Sequence, residues 1–107
     1  VSNVYKNAKL DLTTTNATVL LTVPAARTAI FKSILVSEDS GSADTITATV
    51  TDAAAAVFSL FKVKAVAANT TIELLTAPLV LETGEILKFN AATANRLHVV
   101  ASYLEVS

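Results

Sequence analysis

The stretch "TITATVTD", Thr45 to Asp52, constrains the fold more than any other part of the chain. Ile46, Ala48 and Val50 alternate with Thr45, Thr47, Thr49 and Thr51. A period of two sends the apolar side chains to one face of a strand and the threonines to the other. Threonine suits the outer face because its branched Cβ fits a pleated surface while its hydroxyl meets water. The same β-branched content argues against a helix, where such side chains lose rotamer freedom.

Other segments repeat the character with less regular alternation. "TVLLTV" (Thr18 to Val23) reads as a strand ended by Pro24, which has no amide to donate to a ladder. "TAIFKSILVS" (Thr28 to Ser37) reads as a long strand, followed by the loop "EDSGSAD" around Gly41. Loop and flanking strands predict a hairpin, since Ser, Asp and Gly supply local hydrogen bonds and permissive backbone angles. "PLVLETGEILKFNA", Pro78 to Ala91, predicts strand, tight hairpin turn, strand. Further strands are expected at Val57 to Ala65, Thr70 to Leu75 and Arg96 to Val106. In "DAAAAVFSLFKVKAVAA" the alanines favour a helix that Asp52 could cap. The apolar positions after it keep no 3.6-residue spacing, so the reading is turn, then strand.

Short strands separated by turns every ten residues or so predict an all-β fold, a single antiparallel β-sandwich of jelly-roll or immunoglobulin-like type with about eight strands. Residues 1–12 form an N-terminal arm or a first strand, and residues 13–107 the sandwich domain. In the last strand Leu97, Val99, Ala101 and Tyr103 share one side, with Val100, Leu104 and Val106 on the other. A sandwich strand needs only one apolar face, so the second is expected to be covered, by the Val1 to Leu12 arm or by another protein.

The 107 residues suffice for one domain that buries roughly two-thirds of its unfolded surface. Hydrophobic residues make up 52% of the chain, yet aromatics are 6% and charged residues 16%, so alanine, valine, leucine and threonine dominate. A surface so poor in charge suits a protein packed against neighbours. Net charge is −1 with scattered basic residues, which predicts no nucleic-acid partner. No apolar run approaches twenty residues, so no membrane partner is expected, and the N-terminal stretch lacks a leader pattern. Cysteine is absent, which removes disulfides and thiol chemistry. The sequons at Asn16 and Asn69 read as chance in so threonine-rich a chain.

Reactive constellations are scarce. The single histidine, His98, lies mid-strand, whereas a metal site needs several converging ligands. Glu38, Asp39 and Asp44 share one loop and could offer oxygens to calcium, but their spacing does not follow the alternating pattern of a calcium loop. Glu82 and Glu85 straddle a turn instead of facing across a cleft, as a glycosidase pair would. There is no nucleophile elbow, and two glycines cannot build a phosphate loop. A sugar-stacking platform is hard to assemble from Tyr5, Tyr103 and four phenylalanines, which read as core or interface anchors. No enzyme activity and no cofactor are expected.

Taken together, "VPAARTAIFKSILVSEDSGSADTITATVTD", "VAANTTIELLTAPLVLETGEIL" and "RLHVVASYLEVS" resemble small β-sandwich virion structural proteins of tailed bacteriophages. The likeness spans Leu20 to Val106 and rests on structural motifs shared by head decoration, neck and tail proteins. Arg27 and the Glu38-Asp39 pair depart from it, standing where such proteins often carry small residues. The resemblance implies a capsid decoration (cement) protein on the capsid surface of the virion, made in the host cytoplasm. It implies other virion proteins as partners, the major capsid protein first, and a homo-oligomer, a cyclic trimer before a dimer. A neck, tail or fibre component, or a receptor- or glycan-binding module, are the alternatives. In the arm reading Val4, Tyr5, Lys6 and Lys9 make the protein contacts, and deleting Val1 to Leu12 is expected to leave a folded domain.

Overall fold

The computed structural model describes residues 2–107. Nine strands follow in chain order: β1 (Asn3–Asp11), β2 (Thr18–Thr22), β3 (Thr28–Glu38), β4 (Asp44–Thr51), β5 (Val57–Val66), β6 (Thr71–Glu73), β7 (Leu79–Leu81), β8 (Ile86–Ala91) and β9 (Leu97–Val106). They form two antiparallel sheets. One has the order β1-β9-β3, with β6 and β7 both on the far edge of β3; the other is β2-β8-β4-β5.

The pairing traces one long folded ladder. β4 pairs with β5, β3 with β6 and β7, β2 with β8, and β1 with β9. Rolling this ladder brings β9 beside β3 and β8 beside β4. That is the jelly-roll arrangement, which decides between the two sandwich types expected from sequence. β6 and β7 together do the work of one strand, interrupted by the Leu74–Pro78 segment, so the nine strands correspond to eight in the roll.

In this topology nearly every connection crosses between sheets, which corrects two expected hairpins. The loop around Gly41 joins β3 of the first sheet to β4 of the second, and the turn at Gly84 joins β7 to β8 in the same manner. Both turns exist: the Glu85 amide donates to the Glu82 carbonyl (3.0 Å), and Gly84 takes a φ of 83°. A turn signal records that the chain reverses, and the same reversal serves within a sheet or across the roughly 10 Å between layers. The one connection within the ladder's end is Asp52 to Ala56. There the Asp52 carboxylate accepts the amides of Ala54 and Ala56 (both 2.9 Å), so Asp52 caps a turn and not a helix.

The core lies between the sheets. Ile46, Ala48 and Val50 of β4 point inward as their alternation requires, against Leu87 and Phe89 of β8, Phe31, Ile34 and Val36 of β3, and Leu97, Val99 and Ala101 of β9. The Phe31 and Tyr103 rings stack at 5.0 Å with a 32° tilt. Phe31 and Phe89 are fully buried, whereas Phe58 is an exposed residue of edge strand β5.

The N-terminal segment is a strand and not a free arm. Asn3 through Asp11 pair one to one with Val106 through His98. Leu12 follows into the core, fully buried; its amide donates to the Leu97 carbonyl (3.1 Å) and its carbonyl accepts from Asn95 (2.9 Å). The backbone groups of this segment find partners on β9, which a segment laid across the sheet would have lacked.

Candidate functional site

Alternation along β1 divides the four residues singled out from sequence. Val4 and Lys6 share the inner side with Ala8 and Leu10, whereas Tyr5 and Lys9 share the outer side with Asn7 and Asp11. Lys6 stands at the open end of the sandwich, where its Nζ meets Glu105 Oε1 at 3.0 Å. Arg27 reaches the same oxygen at 3.0 Å, so the inward carboxylate of β9 is held by two cations. Arg27 is fixed in turn by Thr83, whose hydroxyl accepts the Arg27 amide (3.2 Å) and donates to the Arg27 carbonyl (2.7 Å). Lys6 therefore belongs to the architecture of the sandwich mouth. Sequence reasoning missed Glu105, whose signal was a lone acid at an inward position of an otherwise apolar face.

Tyr5 and Lys9 lie on the exposed face of the first sheet. Tyr5 opposes Leu104, which opposes Ile30, which opposes Val80. Register partners present their side chains to the same face, so these four form one apolar row across β1, β9, β3 and β7. Tyr5 is 75% and Val80 53% exposed. A polar row of Asn7, Ser102 and Ser33 follows. Next comes Lys9, Val100, Leu35 and Glu73, with both central residues about 40% exposed. No described segment of the chain lies over this face. The N-terminal segment expected to cover it runs beside β9 in the plane of the sheet.

At the far end of the face His98 sits between two carboxylates, its Nε2 3.3 Å from Asp11 Oδ1 and its Nδ1 3.6 Å from Asp39 Oδ1. All three are well exposed, where such pairs contribute little.

The acidic loop does not converge on a common point. The Glu38 carboxylate turns inward and accepts the amides of Ser40 (2.9 Å), Gly41 (3.1 Å) and Asn69 (3.1 Å) together with the Ser40 hydroxyl. The Ser40 hydroxyl, helped by these amides against the opposing effect of burial, lowers its pKa to about 2. Asp44 instead accepts the Thr45 and Thr93 amides (2.8 and 3.1 Å), and Asp39 faces His98. Glu38 pins the β3–β4 loop to the β5–β6 loop, a structural task. Burial pushes the Glu73 carboxyl up, but the Ser33 hydroxyl and the amides of Ile34, Leu75 and Leu74 outweigh it and leave the pKa lowered.

Two concavities stand out among the described residues. One, about 190 Å³, opens between β5 and the β6–β7 connection and is lined by Leu60, Phe61, Leu74 and Pro78. That is smaller than the roughly 300–1,000 Å³ of small-molecule sites. The other, about 490 Å³, is walled largely by alanine methyls, and its one carboxylate, Asp44, is already bonded to backbone. Compared with known protein families the chain matches none, and no characterised protein is significantly similar to it.

Proposed function

We propose that the chain is a non-enzymatic structural protein of a tailed-phage particle, a decoration or cement protein seated on the capsid surface against the major capsid protein and copies of itself. One observation carries this reading: the outer face of the first sheet holds an uncovered apolar row, Tyr5, Leu104, Ile30 and Val80, on a rigid layer. Surface of that kind gains free energy when another protein covers it, roughly 25 cal/mol per Å² of apolar area before the cost of association. Repeated over a symmetric shell, modest contacts of this size resist outward pressure. A fold hosts many functions, and jelly rolls serve in viral capsids and in lectins alike, so the fold supports the reading without supplying it.

That shared fold keeps a glycan-binding module as the second reading; its sugar platform would have to be built around Tyr5. Imaging intact particles of a phage that carries this sequence separates the cases. Hundreds of copies on the shell are expected. A few copies at the neck, tail or fibre would move the protein there, and absence from the particle together with glycan-array binding would replace the proposal.

A further inference from the structure

We infer that the apolar hollow at the open edge of the sandwich, between β5 and the β6–β7 connection, is a socket for one large apolar side chain, leucine or phenylalanine, carried on an extended, acidic segment of a partner protein. The inference is independent of what covers the outer face of the first sheet.

Two departures from a regular roll meet at this edge. β5 pairs with β4 through two successive bulges. At the first, Ser59 opposes Thr49 and Phe61 opposes Ala48, so Leu60 is an extra residue. Leu60 and Phe61 both line the hollow, whereas an unbroken strand would send neighbouring side chains to opposite faces. At the second, Lys64 opposes Ile46, which leaves Lys62 and Val63 against Thr47. Val63 takes a φ of 55° there, and its amide donates to the Thr47 hydroxyl (3.1 Å).

Across the hollow the edge of the first sheet is broken. Glu73 opposes Leu35 and Leu79 opposes Phe31, and between them the chain loops away from β3. The Glu73 carboxylate closes the base of this loop, accepting the Ile34 and Leu75 amides (2.7 and 3.2 Å) and the Ser33 hydroxyl. Local regularity is thus given up on both sheets, and both breaks shape the same hollow. Irregular and strained backbone of this kind gathers at functional sites, where it is retained for the surface it makes.

Size selects the guest. The hollow measures about 190 Å³. A dry cavity of roughly 150 Å³ lined by leucine, isoleucine and phenylalanine takes up benzene, so one ring or one isobutyl group fits here. The one polar side chain in the wall is that of Thr76, which is exposed and cannot orient a free small molecule. Selectivity must then come from whatever the guest side chain is attached to.

Charge sets the chemistry of that attachment. From Val57 to Leu79 the charged residues are Lys62, Lys64 and Glu73, and the Glu73 carboxylate is committed to β3 and its own loop. Among the described residues neither lysine has an opposite charge within 4.0 Å. Lys64 shares the inner side of β5 with Phe58 and Phe61, since their register partners Ile46, Val50 and Ala48 all face the core. It stands three residues, at most about 10 Å, from Phe61. A segment lying along β5 with its anchor in the hollow meets Lys64 about three positions away, and a carboxylate there forms a charge-assisted hydrogen bond. The bulges and lysines discourage general strand pairing at this edge, so the anchor and the charge hold the segment, without a shared ladder.

The test is a titration of the full chain with a short blocked peptide, glutamates on both sides of a central phenylalanine, followed by proton–nitrogen correlation NMR. Saturable shifts centred on Leu60, Phe61, Leu75 and Leu79 are expected, with a Kd of about 0.1–1 mM. Alanine in place of the peptide's phenylalanine, or lysines in place of its glutamates, should weaken binding about tenfold. Lys64→Glu should weaken it about three- to tenfold. Ala77→Phe, at an exposed position of the wall, should fill the hollow and remove binding while the β-sheet circular dichroism stays unchanged. Absence of shifts up to about 5 mM peptide overturns the inference. So do shifts centred on the outer face of the first sheet, equal binding of the lysine-flanked peptide, or binding indifferent to Ala77→Phe. Shifts at the hollow that grow with protein concentration in the absence of peptide would make the guest a second copy and overturn the acidic partner. The place of the protein in a particle does not enter: a chain located at the neck or tail keeps the socket if the peptide binds.

Discussion

Removal of residues 1–12 should unfold this protein, and the reason is Leu12. The side chain is fully buried at the point where β1 leaves the sheet. Truncating a buried leucine to alanine costs about 2–5 kcal/mol. Deletion of the segment also removes the half-buried Ala8 and Leu10, adding about 1–2 kcal/mol of lost apolar burial. It further strips Lys6 from Glu105 and leaves β9 as a bare edge whose inner residues Val99 and Ala101 gain access to water. The sum, about 3–7 kcal/mol, rivals the whole stability of a domain this size, about 5–15 kcal/mol. Thermal denaturation followed by circular dichroism distinguishes the contributions. Leu12→Ala alone should lower the melting temperature by about 10–20 °C, and the 1–12 deletion should leave little cooperative transition. A deletion variant that melts cooperatively within a few degrees of the full chain would refute this account and return the segment to the role of a dispensable arm.

Other consequences are smaller and equally specific. Glu38 has a folded pKa of about 2 against an ordinary 4.5, so its stabilisation is complete above pH 4.5 and fades as the pH falls toward 2. The stability gap between the protein and Glu38→Gln, measured by denaturation from pH 6 to pH 2, should close over that window; a gap independent of pH would exclude this origin. Val63 is β-branched, 60% exposed and held at a φ of 55°, whereas Asn69 and Asn95 hold similar angles with a better-suited side chain. Val63→Asn should therefore raise stability by about 0.5–1 kcal/mol, and a lower melting temperature would contradict the strain argument. Gly41 has open space where a Cβ would lie, and Gly84 meets the Ala53 Cβ only at 3.4 Å, yet both have strongly positive φ. Alanine at either should cost about 1–2 kcal/mol, because the backbone and not the room is limiting; a neutral Gly41→Ala would overturn that.

The strands that face the core on one side were legible because water and the opposite layer demand different side chains at alternate positions. β4 states this outright in its threonines, and β9 in Leu97, Val99 and Ala101. β1 was not legible in the same way. As an edge strand reaching past the core it exposes both faces near its start, and Lys6 sits on the inner side because Glu105 is there to meet it. That partner lies ninety-nine positions away, beyond any local pattern. The turns at Gly41 and Gly84 were visible, but their destination was not, since crossing to the other sheet depends on which strand waits there. Glu38 read only as one of three loop acids because, the Ser40 hydroxyl apart, its ligands are backbone amides, which every sequence has and none advertises. Of the candidate site, Tyr5 and Lys9 lie on the exposed apolar face, while Val80, Leu35 and Glu73 joined them only once the register was known.

The two outer faces of the sandwich differ in character. The second sheet presents Thr45, Thr47 and Thr49 on β4 beside Lys88 and Asn90 on β8, with exposed valines on its edge strands, Val19 of β2 and Val57 of β5. The first sheet is built on the same pleat, yet its two central strands place Val100 and Leu104, Ile30 and Leu35 outward, with Lys32 beside them in the β3 bulge. Both faces belong to one chain with the same solvent, so solubility alone would have favoured threonine on each. Leaving the central apolar side chains of the first sheet in water costs the isolated chain free energy, which burial against another surface would return. Its charges are few: Lys9 at the β1 margin, Lys32 in the β3 bulge, and Glu73 on β6, whose carboxylate accepts the Ile34 and Leu75 amides and the Ser33 hydroxyl.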